Sequence, residues 1–245
     1  MKLLCSSDWH CDTVTAGVDR LPELSAVVDA MHQVVREEGI DAVLVGGDYY
    51  DPGSIWEARW ARFTYRALHR FGRCLAIPGN HDVVDAAEPL STLSPLAAIP
   101  HKELVIVELP TAWGFVSING SGSCVVLALP YVSRQVERSE AYRKAYDEAF
   151  EAARKASKHQ PVVVLTHLMF EGMHPGSEET MARGRDVPFP VSDVELVEPR
   201  LVLAGHYHDR QTIKRGKLEV EIIGAPLALT FGDREGPRGF LVVEV

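Results

Sequence analysis

The sequence predicts an α/β fold in which short buried strands alternate with amphipathic helices. Apolar segments at residues 42–45 and 162–165 end in glycine or polar residues, which is typical of strands that are buried on both faces. Residues 22–38 repeat their apolar side chains at helical spacing, with a proline in the first turn and a glycine just past the end. Together with a first strand at residues 2–6, these segments predict a strand–helix–strand unit with a right-handed crossover.

The other elements follow from the same signals. We predict helices at residues 55–71 and 142–157, strands at residues 74–77, 104–109, 125–129, 201–204, 220–223 and 239–245, a hairpin region at residues 113–123, and a long irregular segment at residues 171–190. No linker, repeat or low-complexity tract divides the 245 residues. We therefore expect a single domain over residues 1–245.

Composition and charge narrow the class of protein. The hydrophobic content of 46% is sufficient for a core, and no segment has the length of a signal peptide or a membrane span. Four cysteines without metal-finger or disulfide spacing fit a reducing compartment, so we expect a cytoplasmic protein with no membrane partner. The net charge of −9 argues against a protein that coats nucleic acid through lysine and arginine. It is compatible with a nuclease, because bound metal ions bring positive charge to the phosphate.

Ligand-type residues follow five of the predicted strands. They are Asp8 with His10, Asp48, Asn80 with His81 and Asp82, His167, and His206 with His208. Each has an ordinary structural explanation when taken alone, since Asp48 can cap a helix or shape a turn and a single histidine is usually structural. Strands of this kind deliver ligands from the loops past their carboxyl ends, so the five ends together predict one metal site.

The donor types indicate which metals the site would hold. All are nitrogen or oxygen, without thiolate, which disfavours an iron–sulfur or structural zinc site. Carboxylate and amide oxygens favour Mn(II), with Fe, Zn or Mg as alternatives. The donors suffice for two ions that share the Asp48 carboxylate, at a separation of roughly 3.5–4 Å.

The ordered motifs Asp-x-His, Gly-Asp-x-x-Asp, Gly-Asn-His-Asp, a single His and Gly-His-x-His resemble the calcineurin-like metallophosphoesterase superfamily. The resemblance implies a sandwich of two mixed β-sheets flanked by α-helices. It implies that one ion is bound by Asp8, His10, Asp48 and His208, and the other by Asp48, Asn80, His167 and His206. It also implies that His81 contacts the scissile phosphate and assists the leaving oxygen, with Asp82 orienting His81.

A narrower resemblance is to the SbcD-type DNA repair nucleases. It rests on residues 128–131, 166–168, 171–172, 205–211, 224–226, 231–232 and 239–240. This similarity implies a metal-dependent DNA exonuclease or endonuclease that works with an SbcC-type ATPase subunit. Such proteins usually continue into a capping domain and an ATPase-binding segment, and we expect neither within residues 1–245.

Residues 55–71 and about 86–98 correspond to the helices that form dimer contacts in that family, so a homodimer is expected. Trp56 and Trp60 fit either the core or the dimer interface, and we favour the core. The segment also carries Arg59, Arg62, Arg66, Arg70 and Arg73 along one side. This stripe fits either a solvated helix face or a surface that tracks phosphates.

Two other functions remain open from the sequence. One is a small-molecule phosphodiesterase or phosphatase that uses the same dinuclear centre. The other is a DNA-binding or scaffold subunit that retains metals without turnover, which is disfavoured because no ligand position is degraded. The favoured hypothesis is a Mn-dependent DNA nuclease in which metal-activated water attacks phosphorus in line.

Overall fold

The computed structural model describes residues 1–51, 57–99, 101–170, 187–233 and 236–245. The strands are β1 (Lys2–Ser6), β2 (Val14–Thr15), β3 (Val18–Asp19), β4 (Ala42–Val45), β5 (Cys74–Ala76), β6 (Leu104–Ile106), β7 (Thr111–Val116), β8 (Ser123–Leu129), β9 (Val162–Thr166), β10 (Leu201–Ala204), β11 (Gln211–Arg215), β12 (Leu218–Ile222) and β13 (Leu241–Glu244). The helices are α1 (Leu21–Glu37), α2 (Ala58–Arg70), α3 (Ser94–Ala97), α4 (Arg134–Glu137), α5 (Glu140–Ala156) and α6 (Val191–Glu195).

Two mixed sheets contain all of these strands except the β2–β3 hairpin. The five-stranded sheet has the order β13-β1-β4-β5-β6, in which only β13 is antiparallel to its neighbour. The six-stranded sheet has the order β11-β12-β10-β9-β8-β7, with antiparallel strands at its two edges. In each sheet the carboxyl ends of the central parallel strands meet at one edge, where their following loops converge.

The two sheets face each other through a shared apolar layer. Leu3 and Leu44 from the five-stranded sheet lie in the same buried cluster as Val163 and Leu203 from the six-stranded sheet. Side chains alternate between the faces of a strand, so the intervening Leu4 belongs to the opposite face. Truncating a buried leucine such as Leu44 to alanine would cost about 2–5 kcal/mol, so this layer fixes how the sheets are aligned.

Helices cover both outer faces. Leu24 and Met31 of α1 and Leu68 of α2 pack with Leu4 on the outside of the five-stranded sheet. On the other side, Ala153 of α5 packs in a cluster with strands of the six-stranded sheet. The sandwich of two mixed β-sheets flanked by α-helices that the sequence implied is therefore confirmed.

The Ser139 hydroxyl caps helix α5 by accepting a hydrogen bond from the backbone N–H of Tyr142 at 3.1 Å. Helix α2 is described from Ala58 onward, and the earlier part of the predicted helix at residues 55–71, with Trp56, lies outside the described residues. Trp60 is 8% exposed and belongs to the core cluster under α2. The favoured core position of Trp60 is thus confirmed.

Three expectations from the sequence change. The predicted helix at about residues 86–98 is wrong, because only the single turn α3 forms and Pro89 prevents a longer helix. Trp113 lies within strand β7, which extends the hairpin that was predicted at residues 113–123. Residues 171–186 of the predicted irregular segment lie outside the described residues, while Val187 and Phe189 are buried.

The four cysteines are buried and unpaired in disulfides. Among the residues that the structure describes, no helix combines the length and apolar character needed to cross a membrane.

Candidate metal centre

Loops at the carboxyl ends of β1, β4, β5, β9 and β10 bring the sequence-predicted ligands to one place. Asp8, His10 and His208 present donor atoms that all lie within 4.8 Å of one another. Asp48, His167 and His206 form a second such group with the same 4.8 Å limit. All six residues are buried. The two groups correspond to the two ligand sets that the sequence predicted.

Asp8 and His10 direct one atom each toward the first group. The Asp8 Oδ1 atom accepts a hydrogen bond from the backbone N–H of His206 at 3.0 Å, and its Oδ2 atom is buried without a hydrogen-bond partner. His10 Nδ1 lies 2.6 Å from Asp51 Oδ1, and its Nε2 atom is likewise buried without a hydrogen-bond partner. Leaving a buried polar atom unsatisfied costs about 1–3 kcal/mol, which a bound cation would remove.

The second group has closely spaced donors. His167 Nε2 lies 3.1 Å from Asp48 Oδ2 and 3.1 Å from Asn80 Oδ1, and Asn80 Oδ1 lies 2.8 Å from His206 Nδ1. His167 Nδ1 lies 2.5 Å from the carbonyl oxygen of Gly46, to which a ring N–H donates. This bond directs Nε2 inward, as is usual for histidines that bind metals. Two donors about 2.1 Å from one ion at right angles would be about 3 Å apart, so these spacings fit a shared cation.

Asp48 connects the two groups. Its Oδ1 atom accepts the backbone N–H of His81 at 2.9 Å, while Oδ2 lies 3.1 Å from His167 Nε2 and 3.8 Å from His10 Nε2. One carboxylate oxygen therefore faces an imidazole of each group. This is the position that a bridging ligand requires.

The backbone at the site is in an uncommon conformation. Six non-glycine residues among those described have a positive φ, and four of them are predicted ligands: Asp8, His10, Asp48 and His206. Such conformations cost about 1–3 kcal/mol each when they persist at functional sites. Gly205 adds a close approach, because a Cβ atom there would lie 2.7 Å from the Gly46 carbonyl oxygen and 2.8 Å from His167 Nδ1.

His81 lies beside the first group. Its ring centroid is 4.9 Å from that of His10, and its Nδ1 atom lies 3.6 Å from Asp51 Oδ1. Asp51 is thus the carboxylate that faces both imidazoles. It was part of the recognised Gly-Asp-x-x-Asp motif but was not assigned to the site from the sequence, and its spacing of three from Asp48 is the signal that could have identified it.

Asp82 has contacts that differ from its predicted role of orienting the His81 side chain. Its carboxylate accepts backbone N–H groups of Asp48, Tyr49 and Gly79 at 2.8, 3.1 and 2.9 Å, and the Thr92 hydroxyl at 3.0 Å. These bonds join the loops after β4 and β5. Asp82 therefore fixes the backbone that carries Asp48 and Asn80, and its influence on His81 runs through that backbone.

Charges in the centre interact strongly. Burial raises the pKa of Asp8, and burial together with the charge of Asp48 raises the pKa of Asp82 to about 7. Burial opposes the charged form of His167, but the charges of Asp48 and Asp8 raise its pKa to about 9. Close, buried carboxylates thus need positive charge near them, which divalent cations supply more fully than imidazoles.

Comparisons with known proteins agree with this geometry. Residues 1–210 match the calcineurin-like phosphoesterase family. The chain belongs to this family. Calcineurin-like phosphoesterases use a dinuclear metal centre, and the nitrogen and oxygen donors, the two buried atoms without hydrogen-bond partners and the position of Asp48 fit such a centre.

Curated relatives of this phosphoesterase include components of a nuclease. The chain is 27% identical over 262 residues to the SbcD component of the SbcCD nuclease of Bacillus subtilis (strain 168), across 100% of this chain and 66% of the relative. It is 23% identical over 265 residues to the same component in Escherichia coli (strain K12), across 95% of this chain and 62% of the relative. The chain thus spans about two thirds of the length of these relatives.

Solved structures with the same fold are more distant in sequence. TT1561 of Thermus thermophilus aligns with a TM-score of 0.55 and 16% identity, across 91% of this phosphoesterase and 89% of that chain. A dimetal phosphatase from Danio rerio aligns with a TM-score of 0.50 and 12% identity, across 92% and 87% of the two chains. These likenesses establish the fold.

Proposed function

We propose that this phosphoesterase is a metal-dependent DNA nuclease of the SbcD type. The observation that carries the proposal is the position of Asp48 Oδ2 between His10 of one donor group and His167 of the other. Two donor groups joined by one carboxylate suit hydrolysis of a phosphodiester. The similarity of the whole chain to SbcD proteins supports DNA as the substrate.

In this proposal the first ion is held by Asp8, His10, Asp48 and His208, and the second by Asp48, Asn80, His167 and His206. Mn(II) is the favoured metal for this donor set, with Fe, Zn or Mg as alternatives. Bound ions of this kind lower the pKa of water and neutralise the phosphoryl oxygens.

The protein's own groups then orient the substrate and move the proton. His81 lies beside the donor groups with Asp51 3.6 Å from its Nδ1 atom, which favours the protonated imidazole. A protonated His81 binds a phosphoryl oxygen and gives its proton to the leaving oxygen as the bond from phosphorus to that oxygen breaks. Water supplies the oxygen that forms the new bond to phosphorus, so no protein nucleophile is needed.

The exposed side of α2 supports an anionic substrate. Arg59 and Arg70 pair with Asp19 and Asp29 at 3.0 and 2.8 Å, respectively. Arg62 and Arg66, between them, have no ion-pair partner in the described part of the chain. The arginines line a cleft of about 1020 Å³ between α1 and α2. Because α2 begins near the edge that carries the site, the stripe is placed to contact phosphates of a bound strand.

The partners proposed with this function are DNA, an SbcC-type ATPase subunit and a second copy of the chain, in the cytoplasm. The relatives whose names include SbcC and SbcD support the ATPase partner. The exposed face of α2 remains the proposed location of the dimer contact, while the corresponding helix at about residues 86–98 is not formed.

The deciding experiment incubates the purified protein with linear duplex and single-stranded DNA in Mn(II). We expect cleavage that stops with a chelator and is lost in Asp48→Ala. Hydrolysis of bis(4-nitrophenyl) phosphate without cleavage of any DNA would overturn the nuclease proposal in favour of a small-molecule phosphodiesterase. Binding of DNA and metal without hydrolysis of either substrate would indicate a scaffold subunit.

A further inference from the structure

Apolar side chains lie exposed next to the metal centre. Phe231 is 90% exposed, and Val14 and Val18 of the β2–β3 hairpin are 58% and 57% exposed. We call these three residues the apolar rim. The loop that carries Phe231 is attached to the hairpin, because the Thr15 hydroxyl donates to the Leu229 carbonyl at 2.7 Å. Three exposed apolar side chains are thus held on two connected loops.

The Phe231 loop is also attached to the site. Asp233 has a buried side chain, and its Oδ1 atom lies 3.8 Å from Nδ1 of the predicted ligand His208. Phe231 is two residues from Asp233, which is at most about 7 Å of extended chain. The Phe231 ring is therefore presented at the border of the centre, within reach of a group joined to a phosphate bound there.

Hydrogen bonds fix the turn that displays Phe231. The Asp233 Oδ2 atom accepts the backbone N–H groups of Leu229 and Thr230 at 2.7 and 3.3 Å. The Thr230 hydroxyl donates to Asp233 Oδ1 and accepts the Gly232 N–H, each at 3.1 Å. Because the backbone on both sides of Phe231 is held, the ring is pre-positioned for a ligand, and little conformational entropy is lost when the ligand binds.

We propose that Phe231 stacks on a nucleobase adjacent to the scissile phosphate and so determines specificity for nucleic acid over small phosphodiesters. This inference rests on the proposed nuclease function. An exposed aromatic ring beside a phosphate-binding centre is the arrangement that binds single-stranded nucleic acid, where stacking tolerates any base sequence. Val14 and Val18 extend the apolar rim along the hairpin.

The test separates recognition of bases from recognition of phosphates. Fluorescence anisotropy measures binding of a short phosphorothioate oligothymidine, and of an abasic strand of equal length and charge, to the metal-loaded protein. We expect Phe231→Ala to weaken binding of oligothymidine by about 5- to 100-fold. Binding of the abasic strand stays unchanged, and Phe231→Trp restores the affinity for oligothymidine.

The matched control is Leu196→Ala, which truncates another exposed apolar side chain, 69% exposed, at the end of α6. Equal losses for the two strands, or no loss for either, would overturn the role of Phe231 while leaving the nuclease function intact. A wild-type protein that hydrolyses bis(4-nitrophenyl) phosphate but neither binds nor cleaves oligothymidine would overturn both proposals. A lower molecular mass of Phe231→Ala in light scattering would place Phe231 in a contact between two copies and overturn the stacking role.

Discussion

The Asp51 carboxylate lies 2.6 Å from Nδ1 of His10 and orients the opposite ring nitrogen toward the metal centre. Hydrogen bonds from His10 and His81 hold the pKa of Asp51 well below its usual range, although burial acts in the opposite direction. Asp51 is thus charged while it positions a predicted ligand and a predicted acid.

Replacing Asp51 by alanine should weaken metal binding at the first group. Partners that orient a ligand typically contribute 10–100-fold in metal affinity, so we expect a loss of about that size for Asp51→Ala in isothermal titration with Mn(II). Asp29→Ala removes an exposed carboxylate that pairs with Arg70 on the outer helices and serves as the control. An unchanged affinity in Asp51→Ala would contradict the positioning role.

The bridging position of Asp48 predicts a particular metal stoichiometry. Asp48→Ala should lose both ions, because its Oδ2 atom faces both groups, whereas His10→Ala should chiefly lose the first. Elemental analysis of the two purified variants measures this difference. If each variant lost the same single ion, the bridging assignment would be wrong.

His81→Ala should keep its metals and lose turnover. A general acid contributes typically about 10²–10⁴-fold, so kcat should fall by about that factor for a DNA strand with an alkoxide leaving group. The fall should be smaller for bis(4-nitrophenyl) phosphate, because 4-nitrophenolate leaves without protonation. Equal losses on the two substrates would show that His81 does not protonate the leaving oxygen.

The double variant Arg62→Glu with Arg66→Glu should bind DNA more weakly and with less dependence on salt. Removing two phosphate contacts should reduce the slope of log affinity against log salt by about 2. Lys155→Glu with Lys158→Glu makes the same charge change around the end of α5 and should leave the slope unchanged. An unaltered slope in the arginine variant would identify α2 as a solvated face, and a changed molecular mass would identify it as a dimer contact.

Asp41 should stabilise the fold in a pH-dependent way. Its Oδ1 atom accepts the Ile118 N–H and the Ser117 hydroxyl, each at 2.7 Å, and its Oδ2 atom accepts the Lys2 N–H at 2.8 Å. Burial opposes ionisation, but these hydrogen bonds together hold the pKa of Asp41 below its usual range. Asp41→Asn should therefore lower the free energy of unfolding by about 1–3 kcal/mol at neutral pH.

The sign follows from the lowered pKa. The contribution of Asp41 is complete above its unfolded pKa of about 3.9 and is lost as the pH falls through the lower folded value. Urea unfolding in chelator should thus show a constant difference between wild type and Asp41→Asn from neutral pH down to about 5, and a smaller one below about 4. A difference that grew at low pH would contradict this origin, and Asp29→Asn should have little effect at any pH.

Much of the fold and the set of site residues could be predicted from the sequence, because strand ends leave local signals. Asp8 and Asp48 each follow a short apolar run, and the edge at which such runs meet follows from parallel strand order. Other features depend on contacts between distant segments. The hydrogen bond from His206 N–H to Asp8 joins residues 198 positions apart, and no local pattern indicates it. Asp82 shows the same limit, since its partners became evident only in the folded loops.

The hydrogen bonds from His206 N–H to Asp8 and from His167 to the Gly46 carbonyl each cross from one sheet to the other. The oxygen donors Asp8, Asp48 and Asn80 come from the first sheet, whereas all donors from the second sheet are imidazoles. Chelation therefore acts as a clasp between the two layers, so sliding of one layer past the other would separate oxygen from nitrogen donors. Any ligand or partner that shifts this alignment would switch the enzyme off without touching its active site.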